Sequence, residues 1–194
     1  MPDYIPATTT SELIPIGDLS LDQRASKRAE IDRNLIDFAV KKAVGVASDL
    51  VVRDTLPFTD LGLAGGTTAE EWLITSAGVV GTLLAYVSAK QLSTTQAVAF
   101  WGVGSPMASP GVSALKFFFG SSQAQVRAYF QLEQLFSRLE SQGYFGTGLY
   151  YGPQEYITID VMPISAFAAS TEKLTLLART VDPFGQTISA KNAT

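Results

Sequence analysis

From residue 72 to residue 89 the chain reads WLITSAGVVGTLLAYVSA, with no charged side chain between Glu71 and Lys90. Small residues recur every fourth position, at Ala77, Gly81, Ala85 and Ala89, and Leu73, Val80, Leu84 and Val87 supply bulk beside them. Positions four apart share one face of a helix, so the spacing predicts a central apolar helix with a smooth ridge for close packing. Thr68 and Glu71 have capping-box spacing ahead of it. A helix apolar all round is buried, in protein or in lipid.

Other stretches carry the same helical period. Ser20 and Gln23 have capping-box spacing, and Ile31, Leu35, Phe38, Ala39, Val46 and Leu50 continue it to about Val52. Lys and Arg interleave with Asp and Glu along that segment, the pattern of a solvated helix face or, alternatively, a subunit contact. Ser93 and Gln96 open a further expected helix, stopped by Gly102 and Gly104. Ser109 and Pro110 begin another, ending at Gly120, and residues 122–143 form an amphipathic one. Residues 55–66 read as a turn-rich connector.

Beyond residue 150 the period changes. Ile157, Ile159 and Val161 alternate with Tyr156, Thr158 and Asp160, which predicts a strand with one buried face. Leu174, Leu176 and Ala178 alternate with Thr175, Leu177 and Arg179 in a second strand. Residues 182–185 form a turn and residues 186–190 a short third strand. Pro2, Pro6 and Pro15 punctuate a polar N-terminal segment, the mark of an extended arm that contacts another chain. The expected fold is therefore α+β. An extended arm spans residues 1–19, a mainly helical domain around the central helix spans 20–150, and a small antiparallel sheet spans 151–194.

Composition narrows the function. The chain has 194 residues, 46% hydrophobic and only 16% charged, against about 25% charged in typical domains. A lone globule needs a charged coat, so the low charge favours a surface covered by sister subunits or lipid. A net charge of −4 argues against direct nucleic-acid reading. The absence of Cys and His removes disulfides, thiolate zinc sites and the commonest general base. It also leaves no ordinary side chain to titrate between about pH 6 and 8.

Candidate chemistry is sparse. Ser113 and Lys116 have the S-x-x-K spacing of serine acyl-enzymes, without the companion motifs, and sit in an expected short helix. Gly62, Gly65 and Gly66 before Thr67 suggest an anion-binding loop, but the Lys-Ser or Lys-Thr pair of a phosphate loop is missing. Gly143, Gly146 and Gly148 among Tyr144, Phe145, Tyr150 and Tyr151 suggest a small-ligand or glycan surface, or packing. Asp18 with Asp22, and Glu70 with Glu71, are acid pairs that suit helix N-termini as well as catalysis. Asn192 to Thr194 is a formal glycosylation sequon, with no signal-peptide pattern at the N-terminus to give it weight.

These readings assign no catalytic, cofactor-binding or metal-binding residue and no cofactor. They lead to a non-enzymatic structural subunit of a large self-assembling particle, foremost a virus or phage virion (capsid, connector or tail). Its partners would be copies of itself and other structural proteins of that assembly, put together in a host cytoplasm. The alternative is a small membrane-embedded protein spanning lipid through residues 72–89, as part of a lipid-containing particle. Eighteen helical residues reach roughly 27 Å, just short of a hydrocarbon core. The third reading is an enzyme or ligand-binding domain with an unrecognised site.

Overall fold

The computed structural model describes residues 11–63, 70–121, 125–138 and 141–184. They form a β-sandwich, not a helical body. One sheet has five strands, β1 (Leu13–Pro15), β8 (Gln142–Tyr151), β5 (Ala97–Gly104), β11 (Thr175–Pro183) and β2 (Leu50–Asp54), paired in that spatial order. The other has four, β4 (Leu84–Gln91), β9 (Tyr156–Pro163), β6 (Val112–Phe119) and β7 (Val126–Gln131). All pairings are antiparallel. A two-stranded ribbon joins β3 (Leu73–Ile74) to β10 (Glu172–Lys173).

From β2 onward the chain alternates between the two sheets, except for the β6–β7 hairpin. Leaving aside β1 and the ribbon, the order β2-β11-β5-β8 facing β4-β9-β6-β7 is that of an eight-stranded jelly roll, two Greek keys wound together. Residues 151–194 supply β9 and β11, which lie between strands drawn from residues 20–150 in both sheets.

The long helix α1 (Leu21–Lys41) packs on the outer face of the five-stranded sheet. Its N-terminus is the expected capping box: Gln23 N–H donates to Ser20 Oγ, and Ser20 N–H to Gln23 Oε1. Ile31, Leu35 and Ala39, spaced by four, are its buried face. The helix ends at Lys41 rather than near Val52, because Ala43 turns into the left-handed region at φ 59°. Leu50 and Val52, expected to continue the helix, lie instead on β2 and pack in the same cluster as Ile31, Leu35 and Ala39.

Strand β5 explains the first of the misread helices. Val98, Phe100 and Val103 face the core between the sheets, while Ala97, Ala99 and Trp101 face the core beneath α1. A strand buried on both faces has no polar alternation, and a short continuous apolar run looks the same in strand or helix. The expected helices at 93–101, 110–119 and 122–143 are instead β5, β6, and β7 followed by the short α3 (Glu133–Phe136) and β8. Phe117, Phe130 and Phe145 bridge the two sheets, with Phe130 and Phe145 stacked at 3.9 Å.

Residues 72–89 are not a helix. They run through β3, an irregular loop held by a bridge between Gly78 and Phe167, and the first part of β4. The small-residue ridge dissolves: Gly81 takes φ 74° with nothing within 4 Å of an added Cβ, and Ala89 lies in a strand at φ 46°. No helix among the described residues is long and apolar enough to cross a membrane, so the helical membrane span at 72–89 is overturned. The arm is corrected in part as well. Residues 1–10 lie outside the described residues, but Leu13–Pro15 pairs with β8 of its own chain. The turn expected at 182–185 begins inside β11, and the third strand at 186–190 lies outside the described residues.

Close approach inside the sheet depends on Gly102, where the ladder to β8 shifts register. A Cβ there would sit 2.6 Å from the Gly143 carbonyl oxygen and 2.7 Å from Leu177 Cδ1. Gly102→Ala should therefore destabilise the fold by about 1–3 kcal/mol in urea denaturation, as overpacking does. A glycine ending an exposed helix would give a neutral or stabilising result instead.

Candidate functional site

Two arginine networks, each partly buried, close the β2–β11 side of the five-stranded sheet. On its inner side Arg53 of β2 forms a fork on Asp60, with Nη1–Oδ2 at 2.6 Å and Nη2–Oδ1 at 2.7 Å, and bonds Asp182 through Nε at 2.9 Å. Asp60 belongs to α2 (Pro57–Leu61) and also accepts from Leu56 N–H and Gln96 Nε2. Burial works against the Arg53 charge, but the bond to Asp60 and the fields of Asp60 and Asp182 outweigh it and raise its pKa. Burial raises the Asp182 carboxyl, with Arg53 opposing and Asp60 adding to the rise. With both Asp60 oxygens engaged by donors, this is a clamp holding α2 to the sheet rather than an acid–base pair.

On the outer side Arg179 of β11 bonds Asp32 of α1 through Nε at 2.7 Å and also reaches Asp54. Arg28 meets Asp54, and Lys27 donates to the Gly146 carbonyl. Part of the charge on α1 thus docks the helix onto its own sheet.

The residues singled out by sequence scatter. Ser113 Oγ donates to the Met162 carbonyl, while the Lys116 ammonium lies 5.3 Å over the Tyr129 ring. Both are on β6, Ser113 at the bulge between Val112 and Ala114, and each is engaged by a different partner, so the S-x-x-K pair does not form the hydrogen-bonded couple that an acyl-enzyme needs. Gly62 is the left-handed cap of α2, and Gly65, Gly66 and Thr67 lie outside the described residues. Glu70 accepts from Phe58 N–H and the Thr59 hydroxyl, Glu71 pairs with Lys173, and Asp18 pairs with Arg138. Asp22 sits in the first turn of α1. The sequon at 192–194 is also outside the described residues. Among the described residues no three acids converge on a point fit for a metal ion.

The glycine–aromatic stretch divides. Gly148 lets α1 approach, since a Cβ there would lie 2.8 Å from Ile31 Cδ1. Tyr144 and Phe145 are core residues. Tyr150, by contrast, lines a groove of about 440 Å³ at one end of the sandwich. Phe38 and Lys42 at the end of α1, Phe119 closing β6, Arg127 of β7, and Glu155 and Tyr156 leading into β9 form the other walls. The Arg127 guanidinium lies 4.2 Å from the centre of the Tyr151 ring and 5.2 Å from that of Phe119, and it donates to the Tyr150 carbonyl. Lys42 Nζ lies 5.5 Å over Phe38 and 3.2 Å from Glu155 Oε1. Burial pushes the Tyr151 phenol up to about 12, against the opposing charge and bond of Arg127, so it stays a neutral platform. The groove gathers residues from five separate stretches, which is why periodicity did not reveal it.

At the other end, Glu172 of β10 is a buried carboxyl that sequence reading passed over. It accepts from Gly111 N–H at 2.8 Å. Burial raises its pKa above the ordinary 4.5, with the Gly111 bond opposing. The folded chain therefore holds this proton more tightly than the unfolded chain, so ionisation costs stability. The cost begins near pH 4.5, grows as pH rises through the folded pKa, and is complete above it. Glu172→Gln keeps an oxygen acceptor for Gly111 without the charge. Its melting temperature should match the wild type below about pH 4 and exceed it increasingly as the pH is raised to 7. A gap that moves the other way would mean the ionised carboxylate is stabilising.

No family model matches the chain, and comparison with curated protein sequences gives no match.

Proposed function

We propose that this chain is a non-enzymatic structural subunit of a large self-assembling particle, a virion of a virus or phage. The observation that carries the reading is the jelly-roll order of the two sheets, an architecture used by viral capsid domains. Lectin and cupin domains use the same roll, so the surface has to carry the role together with the topology.

Surface chemistry supports it. Val79 is 62% exposed, Val80 58%, Leu83 41% and Ile164 49%. The bond from Gly81 N–H to the Pro163 carbonyl draws the loop that carries the first three toward Ile164. Grouped exposed aliphatic side chains mark a contact surface. The low overall charge fits a chain whose outside is covered by its neighbours. In this reading the partners are other copies of the chain and companion structural proteins.

Sedimentation velocity of the purified chain tests it. A multi-subunit species is expected, and the double substitution Val80→Asp, Leu83→Asp should shift it to lower mass. Because both side chains are exposed in the single chain, its folding stability should change by no more than about 0.5 kcal/mol. A wild-type chain that stays monomeric at high concentration contradicts the proposal.

A further inference from the structure

We propose that the groove between the end of α1 and the β6–β7 side of the sandwich binds a carboxylate carried on an aromatic or apolar body. This goes beyond the structural role above and does not depend on it.

The inference starts from Arg127. Its guanidinium lies against the Tyr151 and Phe119 rings, and one of its nitrogens is anchored on the Tyr150 carbonyl. No carboxylate among the described residues forms an ion pair with it. A guanidinium carries five N–H donors in a planar fork, so donors remain for a further acceptor. The two ring contacts and the bond to the Tyr150 carbonyl restrict the fork before any ligand arrives, which removes part of the ordering cost of binding.

The rest of the groove sets the ligand's class. Lys42 and Glu155 neutralise each other at 3.2 Å, which leaves the Arg127 charge as the groove's uncompensated one. A cationic ligand is disfavoured on that ground. A planar two-oxygen anion matches the fork, as carboxylates do. Phe38, Tyr150, Tyr156 and Phe119, the last 51% exposed, offer ring faces and edges to an apolar body attached to the anion. A bare inorganic anion would leave that surface unused.

The test uses the full-length chain and NMR titration of its aromatic and arginine side-chain signals. The probes are 3-phenylpropionate, its neutral amide, inorganic phosphate, and a short peptide ending in phenylalanine as free acid or as amide. Saturable shifts at Arg127, Tyr150 and Tyr156 are expected with the two free acids. Each amide should bind at least about tenfold more weakly, a difference of roughly 1.4 kcal/mol. Tighter binding of the peptide acid would assign the site to a chain terminus, and tighter binding of the small acid to a free metabolite. Arg127→Gln should lose the same factor of about ten, and Arg127→Lys should recover it only in part, because the fork is lost.

Arg127 also ties down the Tyr150 carbonyl. If its variants unfold, the acid–amide comparison on the unaltered chain decides the matter alone. Equal affinity for acid and amide, phosphate binding as tight as either acid, or no saturable shift by about 10 mM acid, where even weak millimolar binding would be evident, would overturn the proposal.

Discussion

The five-stranded sheet has to bury both its faces, and most of this molecule follows from that requirement. Its inner face meets the second sheet through Phe100, Phe145 and Leu176, and its outer face meets α1 through Ala99, Trp101 and Val181. Strands under that constraint cannot spend positions on polar side chains, so β5 is apolar from end to end. The helix must also come close, which puts Gly148 beneath Ile31. Where the sheet ends, at β2 and β11, the same two-sided burial places an arginine on each face. Arg53 clamps α2 on one side and Arg179 clamps α1 on the other. A buried guanidinium of this kind is held only because its carboxylates are fixed beside it.

That constraint also decides what the sequence could reveal. The capping box at Ser20 and Gln23 is a local device, and it formed as its spacing predicts. The alternation at 157–161 was legible because Thr158 and Asp160 set polar side chains between Ile157, Ile159 and Val161, although both are buried too, so the strand has two buried faces and not the expected one. The runs at 97–104 and 112–119 were not legible, since two-sided burial erases the period that separates strand from helix. Residues 72–89 misled for another reason. A chance four-residue spacing of Ala and Gly mimicked a helix ridge, while Gly78 and Gly81 actually serve a loop, the first beneath the Phe167 ring and the second at positive φ. The groove was invisible for a third reason: Phe38, Arg127 and Tyr156 lie far apart along the chain and meet only through topology.

The two ends of the sandwich differ in chemistry. One end presents aliphatic side chains on a loop and keeps the carboxyl of Glu172 inside. The other presents aromatic rings around a fixed arginine. An apolar tip suits contacts between subunits, where shape and exclusion of water decide affinity. An aromatic groove with one oriented charge suits a ligand that must be told apart by its anion. A chain can carry both, because the sandwich separates them.

Amide hydrogen exchange followed residue by residue tests the double-faced sheet most directly. The account predicts that Val98, Ala99 and Phe100, paired on both sides by β8 and β11, exchange in the slowest class, only through global unfolding. The amides of Val79 and Val80, on the exposed loop, should exchange far faster. A continuous block of slow exchange over residues 72–89, with fast exchange at residues 98–100, would contradict it.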